Sequence, residues 1–99
     1  MSETATLIVT ATPNPEEMEA VKQYLDGVVP VLMGAGGKPV KRLKIDDVIY
    51  GSPSAMALVM DFDSSDAITA LFGSEEYAAL IPTREKGFTE MNILVAKDM

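Results

Sequence analysis

The chain opens on an alternating segment. From Ala5 to Thr12, Leu7, Val9 and Ala11 fall on one side and Thr6, Ile8, Thr10 and Thr12 on the other. A period of two is what a strand imposes, and the β-branched content predicts a strand with one half-polar face. After Pro13 the period lengthens. Met18, Val21, Leu25, Val28 and Leu32 recur at spacings of three and four, so one stripe of a helix is apolar, with Tyr24 at its border. Asn14-Pro15-Glu16-Glu17 predicts the start of that helix, with Asn14 as cap, Pro15 in the first position and Glu17 as the capping acid. Pro30 predicts a kink, because it lacks an N–H and crowds the carbonyl of Asp26. Gly34-Ala35-Gly36-Gly37 predicts the end of the helix, since glycine accepts the left-handed conformation of a C-terminal cap.

Val40 to Ile45 reads as a charged strand at a sheet edge, and Asp46 to Pro53 as a loop or irregular extension. Ala55 to Phe62 is the most apolar strand. Met56, Leu58, Met60 and Phe62 share one face; Ala55, Ala57, Val59 and Asp61 share the other. Such a segment predicts a central strand covered on both sides. Asp63-Ser64-Ser65-Asp66 opens a second helix whose buried side is Ala67, Ile68, Leu71 and Phe72. Gly73 breaks it and Ser74 starts another turn. Tyr77 and Arg84 would share a face of one unbroken helix, but Pro82 pushes Ile81 out of helical geometry. Thr89 to Lys97 is the last strand.

The order is βαββαβ, which predicts an α+β, ferredoxin-like fold over residues 1–99 as a single domain: an antiparallel four-stranded sheet with its helices on one face. The other face needs a cover. A homodimer joined through the sheet faces supplies one, and a domain of this size gains most from such burial.

Composition narrows the chemistry. The chain has no Cys, no His and no Trp. Thiolate nucleophiles, zinc–thiolate sites, iron–sulfur clusters and histidine-held haem are therefore excluded, and no cofactor or metal is expected. A formal net charge of −7 repels nucleic-acid backbones. Within that acidic chain Lys38, Lys41, Arg42 and Lys44 crowd together. They read either as a charged edge that resists strand pairing or as an anion site. The glycines at 34, 36 and 37 are not a phosphate loop, because they run from helix to strand and the position after Lys38 is proline. Met1-Ser2-Glu3 lacks the basic start of a leader and no apolar stretch is long enough to span a bilayer. A cytoplasmic protein with no nucleic-acid or membrane partner is expected.

Tyr24, Pro30, Gly36-Gly37, Asp61-Phe62, Ala67, Ser74-Glu75-Glu76-Tyr77 and Ile81-Pro82-Thr83-Arg84 fall in an order that resembles the DUF1330 family, within the dimeric α+β barrel superfamily. The resemblance covers nearly the whole chain. Its most specific part is the Ser-x-Glu-Tyr…Pro-x-Arg run. The segment Asp46 to Pro53 departs from it, with Tyr50-Gly51-Ser52-Pro53 where relatives often carry an acidic-glycine turn and a tryptophan, and Phe72 stands where relatives often have tryptophan. The resemblance implies the fold and the dimer. It implies no activity, because superfamily relatives range from muconolactone isomerase-like enzymes to cofactor-free quinol monooxygenases and haem enzymes.

Candidate site residues follow from chemistry and placement. Asp61 lies on the small-residue face of the central strand, where a cavity has room to form, and a partly buried carboxylate can move protons. Arg84 can clamp a carboxylate with a two-pronged hydrogen bond. These two are expected as catalytic groups anchoring one pocket between sheet and helices. Tyr24, Tyr77 and Arg42 are the expected ligand contacts. Asp61, Asp63 and Asp66 lack the glycine and terminal glutamate of a calcium loop. Two classes of function remain open: a cofactor-independent enzyme acting on a small acidic or aromatic compound by proton transfer, and a non-catalytic dimeric module that binds a small ligand or has a structural role.

Overall fold

The computed structural model describes residues 4–99; Met1, Ser2 and Glu3, on which the expectation of no leader rests, lie outside the described residues. The elements run β1 (Ala5–Pro13), α1 (Met18–Gly34), β2 (Lys38–Lys44), β3 (Met56–Phe62), α2 (Ser65–Phe72), α3 (Glu75–Ala78), α4 (Ile81–Gly87) and β4 (Phe88–Ala96). The strands form one antiparallel sheet in the order β2-β3-β1-β4. This is the ferredoxin-like α+β arrangement. The charged strand is at one edge and the most apolar strand is inside, as their composition dictates.

The helices lie on the face made by the bulky residues. Ala5, Leu7 and Ala11 of β1 and Met60 and Phe62 of β3 are buried there, against Val21, Tyr24, Val28 and Leu32 of α1. Ile68, Leu71, Tyr77 and Phe88 complete that core. The smallest dimension of the molecule is 17 Å, which is the thickness of a single sheet and a single helical layer. Ile8, Ala57, Val59 and Leu94 occupy the sheet face away from the helices, and Leu94 is half exposed.

The start of α1 differs from the expected one. Asn14 Oδ1 accepts from the Glu16 N–H at 3.0 Å and the Asn14 carbonyl accepts from the Glu17 N–H at 2.9 Å. Asn14-Pro15-Glu16 is therefore a turn, and the helix begins after it without a side-chain cap. Asparagine satisfies its local bonds in a turn as readily as at a cap. The helix runs on through Pro30 and closes at Gly36, whose φ of +91° is the left-handed geometry foreseen for the glycine cluster.

The second helical region holds a short series. Ser64 Oγ accepts from the Ala67 N–H at the head of α2, and Ser74 Oγ accepts from the Tyr77 N–H at the head of α3. The chain breaks at Ala79-Leu80, and Pro82 sits in the first turn of α4, where a missing N–H costs nothing. The break thus precedes the proline instead of falling on it.

Candidate functional site

Space collects beneath α1. A groove of about 570 Å³ opens between α1 and the β2–β3 edge, walled by Leu25, Val28, Leu32, Met56, Leu58 and Met60. It continues under the helix into a narrow apolar cavity of about 50 Å³, where Tyr24, Phe72 and Phe88 bring three aromatic faces together. The two spaces share Leu25, Val28, Leu32, Met56 and Leu58 as walls. Val29, Met33 and Leu43 leave about half of their surface exposed at the groove mouth.

Arg42 and Lys44 are the only charged residues that line the groove among those described. The register explains their placement. Lys38 pairs with Asp61 and Pro39 with Met60, but Lys41, not Val40, pairs with Val59. The extra residue at Val40 is a bulge. From there on Arg42 lies opposite Leu58 and Lys44 opposite Met56, both on the helix side, whereas an unbulged strand would have turned them away. Of the four cations read as a charged edge or an anion site, the groove takes Arg42, the one expected as a ligand contact, and Lys44, and not Lys38 or Lys41; the even spacing of Arg42 and Lys44 was the available signal.

Tyr24, Tyr77 and Arg84 come together. The Tyr24 and Tyr77 hydroxyls are 2.9 Å apart, and Arg84 Nη1 donates to the Tyr77 oxygen at 2.9 Å. The Arg84 guanidinium also stands 5.8 Å from the centre of the Tyr77 ring. Tyr77 packs edge-on to Tyr24 and Phe72, and Tyr24 edge-on to Phe88. The break at Ala79-Leu80 does not separate Tyr77 from Arg84, since α4 restarts with Arg84 turned back toward α3. Glu85 Oε2 lies 3.7 Å from Arg84 Nε, a partly exposed ion pair of little energetic weight.

Burial, reinforced by the Tyr77 hydrogen bond, pushes the Tyr24 hydroxyl pKa well above the usual tyrosine range, while the charge of Arg84 works the other way. Burial works to lower the pKa of Arg84, but the hydrogen bond to Tyr77 and the charges around it outweigh that and leave it raised. The Tyr24 shift has a consequence for stability. An unfolded tyrosine ionises near pH ~10, and native Tyr24 does not follow it. Its contribution is fully present below that pH and is lost as the pH rises past it, with a slope approaching about 1.4 kcal/mol per pH unit. Urea midpoints for wild type are expected to fall faster above pH ~10 than those of Tyr24→Phe. Equal slopes would contradict the assignment.

Asp61 is elsewhere. Its Oδ1 accepts from the Thr6 hydroxyl at 2.9 Å, across the β1–β3 pair and on the sheet face away from the helices. Its neighbours Met60 and Phe62 take the helical face. The expected pocket joining Asp61 to Arg84 is therefore corrected: Arg84 bonds within the helical layer and Asp61 on the opposite side of the sheet, with no ion pair between them among the described residues. The cause is volume. The helices bury the bulky face of β3, and the small-residue face that carries Asp61 is left outside. Among the described residues no group of three or more acidic side chains is arranged to hold a metal ion, and no helix is long and apolar enough to cross a membrane.

Solved structures share this architecture. A protein of unknown function from Rhodopseudomonas palustris superposes with a TM-score of 0.82 at 14% identity, over 100% of this chain and 85% of the other. A dabb family protein with a ferredoxin-like fold from Mesorhizobium loti gives 0.73 at 13% identity, over 98% of each chain. A dimeric protein of unknown function and ferredoxin-like fold from Bacteroides fragilis gives 0.63 at 12% identity, over 96% of each. At such identities the likeness is one of fold. The comparison with curated proteins returned no match. The family described as a domain of unknown function, DUF1330, matches residues 5–99, nearly the whole chain and all of the Ser74-to-Arg84 run that carried the resemblance, and the chain belongs to that family.

Proposed function

We propose that the protein is a homodimer, joined through the open sheet faces, that binds a small organic acid with an apolar body in the groove under α1. The observation that carries the ligand is the groove itself. Its volume of about 570 Å³ is in the range of small-molecule sites. Its walls are apolar and its only described charges are the cations Arg42 and Lys44, in a chain of net charge −7. Cations gathered at one apolar opening of an acidic molecule select a carboxylate with a hydrophobic tail. Binding is favoured over proton-transfer catalysis. The described lining of the groove contains no carboxylate, the chain has no histidine, and Asp61 faces away.

The dimer is supported by the apolar residues on the open face and by the dimeric state given for the Bacteroides fragilis neighbour. A cytoplasmic setting is proposed with it, since the chain has no cysteine with which to use an oxidising compartment. Thermal melting with benzoate tests the ligand. Saturating benzoate is expected to raise the melting temperature of wild type, with about 2.7 kcal/mol of added stability at a hundred times Kd. The double variant Arg42→Gln/Lys44→Gln is expected to bind at least about tenfold more weakly. A wild type that no aromatic or aliphatic carboxylate stabilises would sink the proposal. Light scattering is expected to report twice the chain mass of 10.6 kDa, and Val59→Asp to shift it toward the monomer.

A further inference from the structure

The narrow cavity under α1 sets a limit that the wide groove does not. Its volume of about 50 Å³ is well below the ~150 Å³ of an apolar cavity that takes up benzene, so no ring enters it. It holds about two groups the size of a water molecule, at ~30 Å³ each. Water itself is a poor occupant, because it needs polar partners to be held. Tyr24 is the only polar side chain in the described lining, and its hydroxyl is already engaged with that of Tyr77. Among the described residues no buried side-chain polar atom lacks a partner. What fits is hydrocarbon one methylene wide.

The sheet register leads from the groove cations into this cavity. Arg42 lies opposite Leu58, Leu58 opposite Val9 and Val9 opposite Ile93. Two positions along, Lys44, Met56, Ala11 and Met91 make a second row. Each row starts with a cation at the groove and continues through side chains that line the cavity. Neighbouring strands are about 4.8 Å apart, so Val9 stands about 10 Å across the floor from Arg42. An extended chain advances about 1.2 Å per bond, so about eight bonds carry a methyl end from a carboxylate at Arg42 into the cavity. Met91 and Ile93 close the far side, for they also line the space beside Arg84 at the β4 edge and so stand between the two.

We propose that the ligand of the groove is a straight-chain aliphatic carboxylic acid of about eight carbons, held at its carboxylate by Arg42 and Lys44 and at its methyl end by the narrow cavity. The carboxylate end rests on the acid-binding role proposed for the groove; the straight chain rests on the size and apolar lining of the cavity. Met91 sets the longest chain accepted.

Calorimetric titration with butanoate, hexanoate, octanoate and cyclohexylacetate tests this. Each added methylene is expected to tighten binding about twofold to fourfold, so that octanoate binds wild type at least about tenfold more tightly than butanoate. Cyclohexylacetate matches octanoate in carbon number but ends in a ring. It is expected to bind about fourfold to tenfold more weakly than octanoate, the loss of the groups that the cavity would bury. Ala11→Val fills the cavity from its floor and is expected to erase the gain between hexanoate and octanoate. Met91→Ala, at a half-buried position, removes the far wall and is expected to extend the gain to decanoate; it keeps the test open should Ala11→Val fold poorly. Circular dichroism and melting of each variant check the fold. Affinities that do not rise from butanoate to octanoate, or cyclohexylacetate that binds as tightly as octanoate, overturn the proposal; with benzoate still bound, the acid-binding role of the groove survives it. A gain with length that neither variant alters overturns the placement of the tail in the cavity. Octan-1-ol separates the two ends in the other direction. A gain from butan-1-ol to octan-1-ol that Ala11→Val erases, with acids indifferent to Arg42→Gln/Lys44→Gln, overturns the carboxylate end and leaves the tail site standing.

Discussion

Tyr77→Ala is expected to cost about 3–5 kcal/mol of folding stability, the range for emptying a buried aromatic site. Tyr77 is 2% exposed and joins three parts of the structure. Its ring packs against Tyr24 of α1 and Phe72 of α2, and its hydroxyl ties Tyr24 to Arg84 of α4. Truncation opens a cavity and leaves the Tyr24 hydroxyl buried without its only described partner. Each kilocalorie moves the melting temperature of a domain this small by about 4–8 °C, so the variant is expected to melt at least about 12 °C lower. Tyr77→Phe separates the two contributions. It keeps the ring and loses only the hydroxyl, and is expected to cost about 1–3 kcal/mol. Urea melts at one fixed protein concentration check both values. Equal costs for the two variants would show that the hydroxyl, not the ring, holds the helices together.

Gly87→Ala carries the second large effect. A methyl group added at Gly87 would lie 2.9 Å from the Val21 backbone nitrogen and 3.1 Å from the Ala20 carbonyl carbon. Both atoms belong to the backbone of α1, so no side chain can swing aside. Gly87 closes α4 just before β4, and its carbonyl accepts from the Asn14 N–H at 2.8 Å. Its position is held from both directions. Overpacking of this kind costs about 1–3 kcal/mol, and more where backbone must move. Gly34→Ala is the matched control: nothing lies within 4 Å of a methyl group there, and it is expected to lose no stability. If Gly87→Ala melts with wild type, the close approach of α4 to α1 is wrong.

The local features of the fold were legible in the sequence. Alternation at Leu7, Val9 and Ala11 foretold the buried face of β1, and the stripe from Met18 to Leu32 foretold the buried side of α1 except at Met18, which the first turn leaves half exposed. The serines at 64 and 74 cap the helices expected after them. Two local expectations moved. Asn14 makes a turn instead of a cap, because the same side-chain bond serves either geometry. The helical break falls at Ala79-Leu80 and not at Pro82, because proline is harmless in a first turn.

The site was legible only in part. Spacing put Tyr77 and Arg84 on one face only of an unbroken helix, and Tyr24 was picked out singly; the joining of all three depends on how α4 restarts after the break at Ala79-Leu80. Asp61 was assigned to the pocket because small neighbours leave room. That logic cannot say which face of a strand the helices will cover.

What the chain determines by itself is which residues share a face, since side-chain period is a property of local backbone geometry. Which face meets the helices is decided when bulky Met60 and Phe62 compete with Val59 and Asp61 for the apolar side of α1, and that contest exists only once strand and helix are packed. Register is decided at the same stage. The bulge at Val40 turns Arg42 and Lys44 toward the groove, and a bulge is set by pairing with a strand some twenty residues away. A one-residue slip changes the face of every later side chain, so the cations of β2 acquire their direction from the sheet and not from their own sequence.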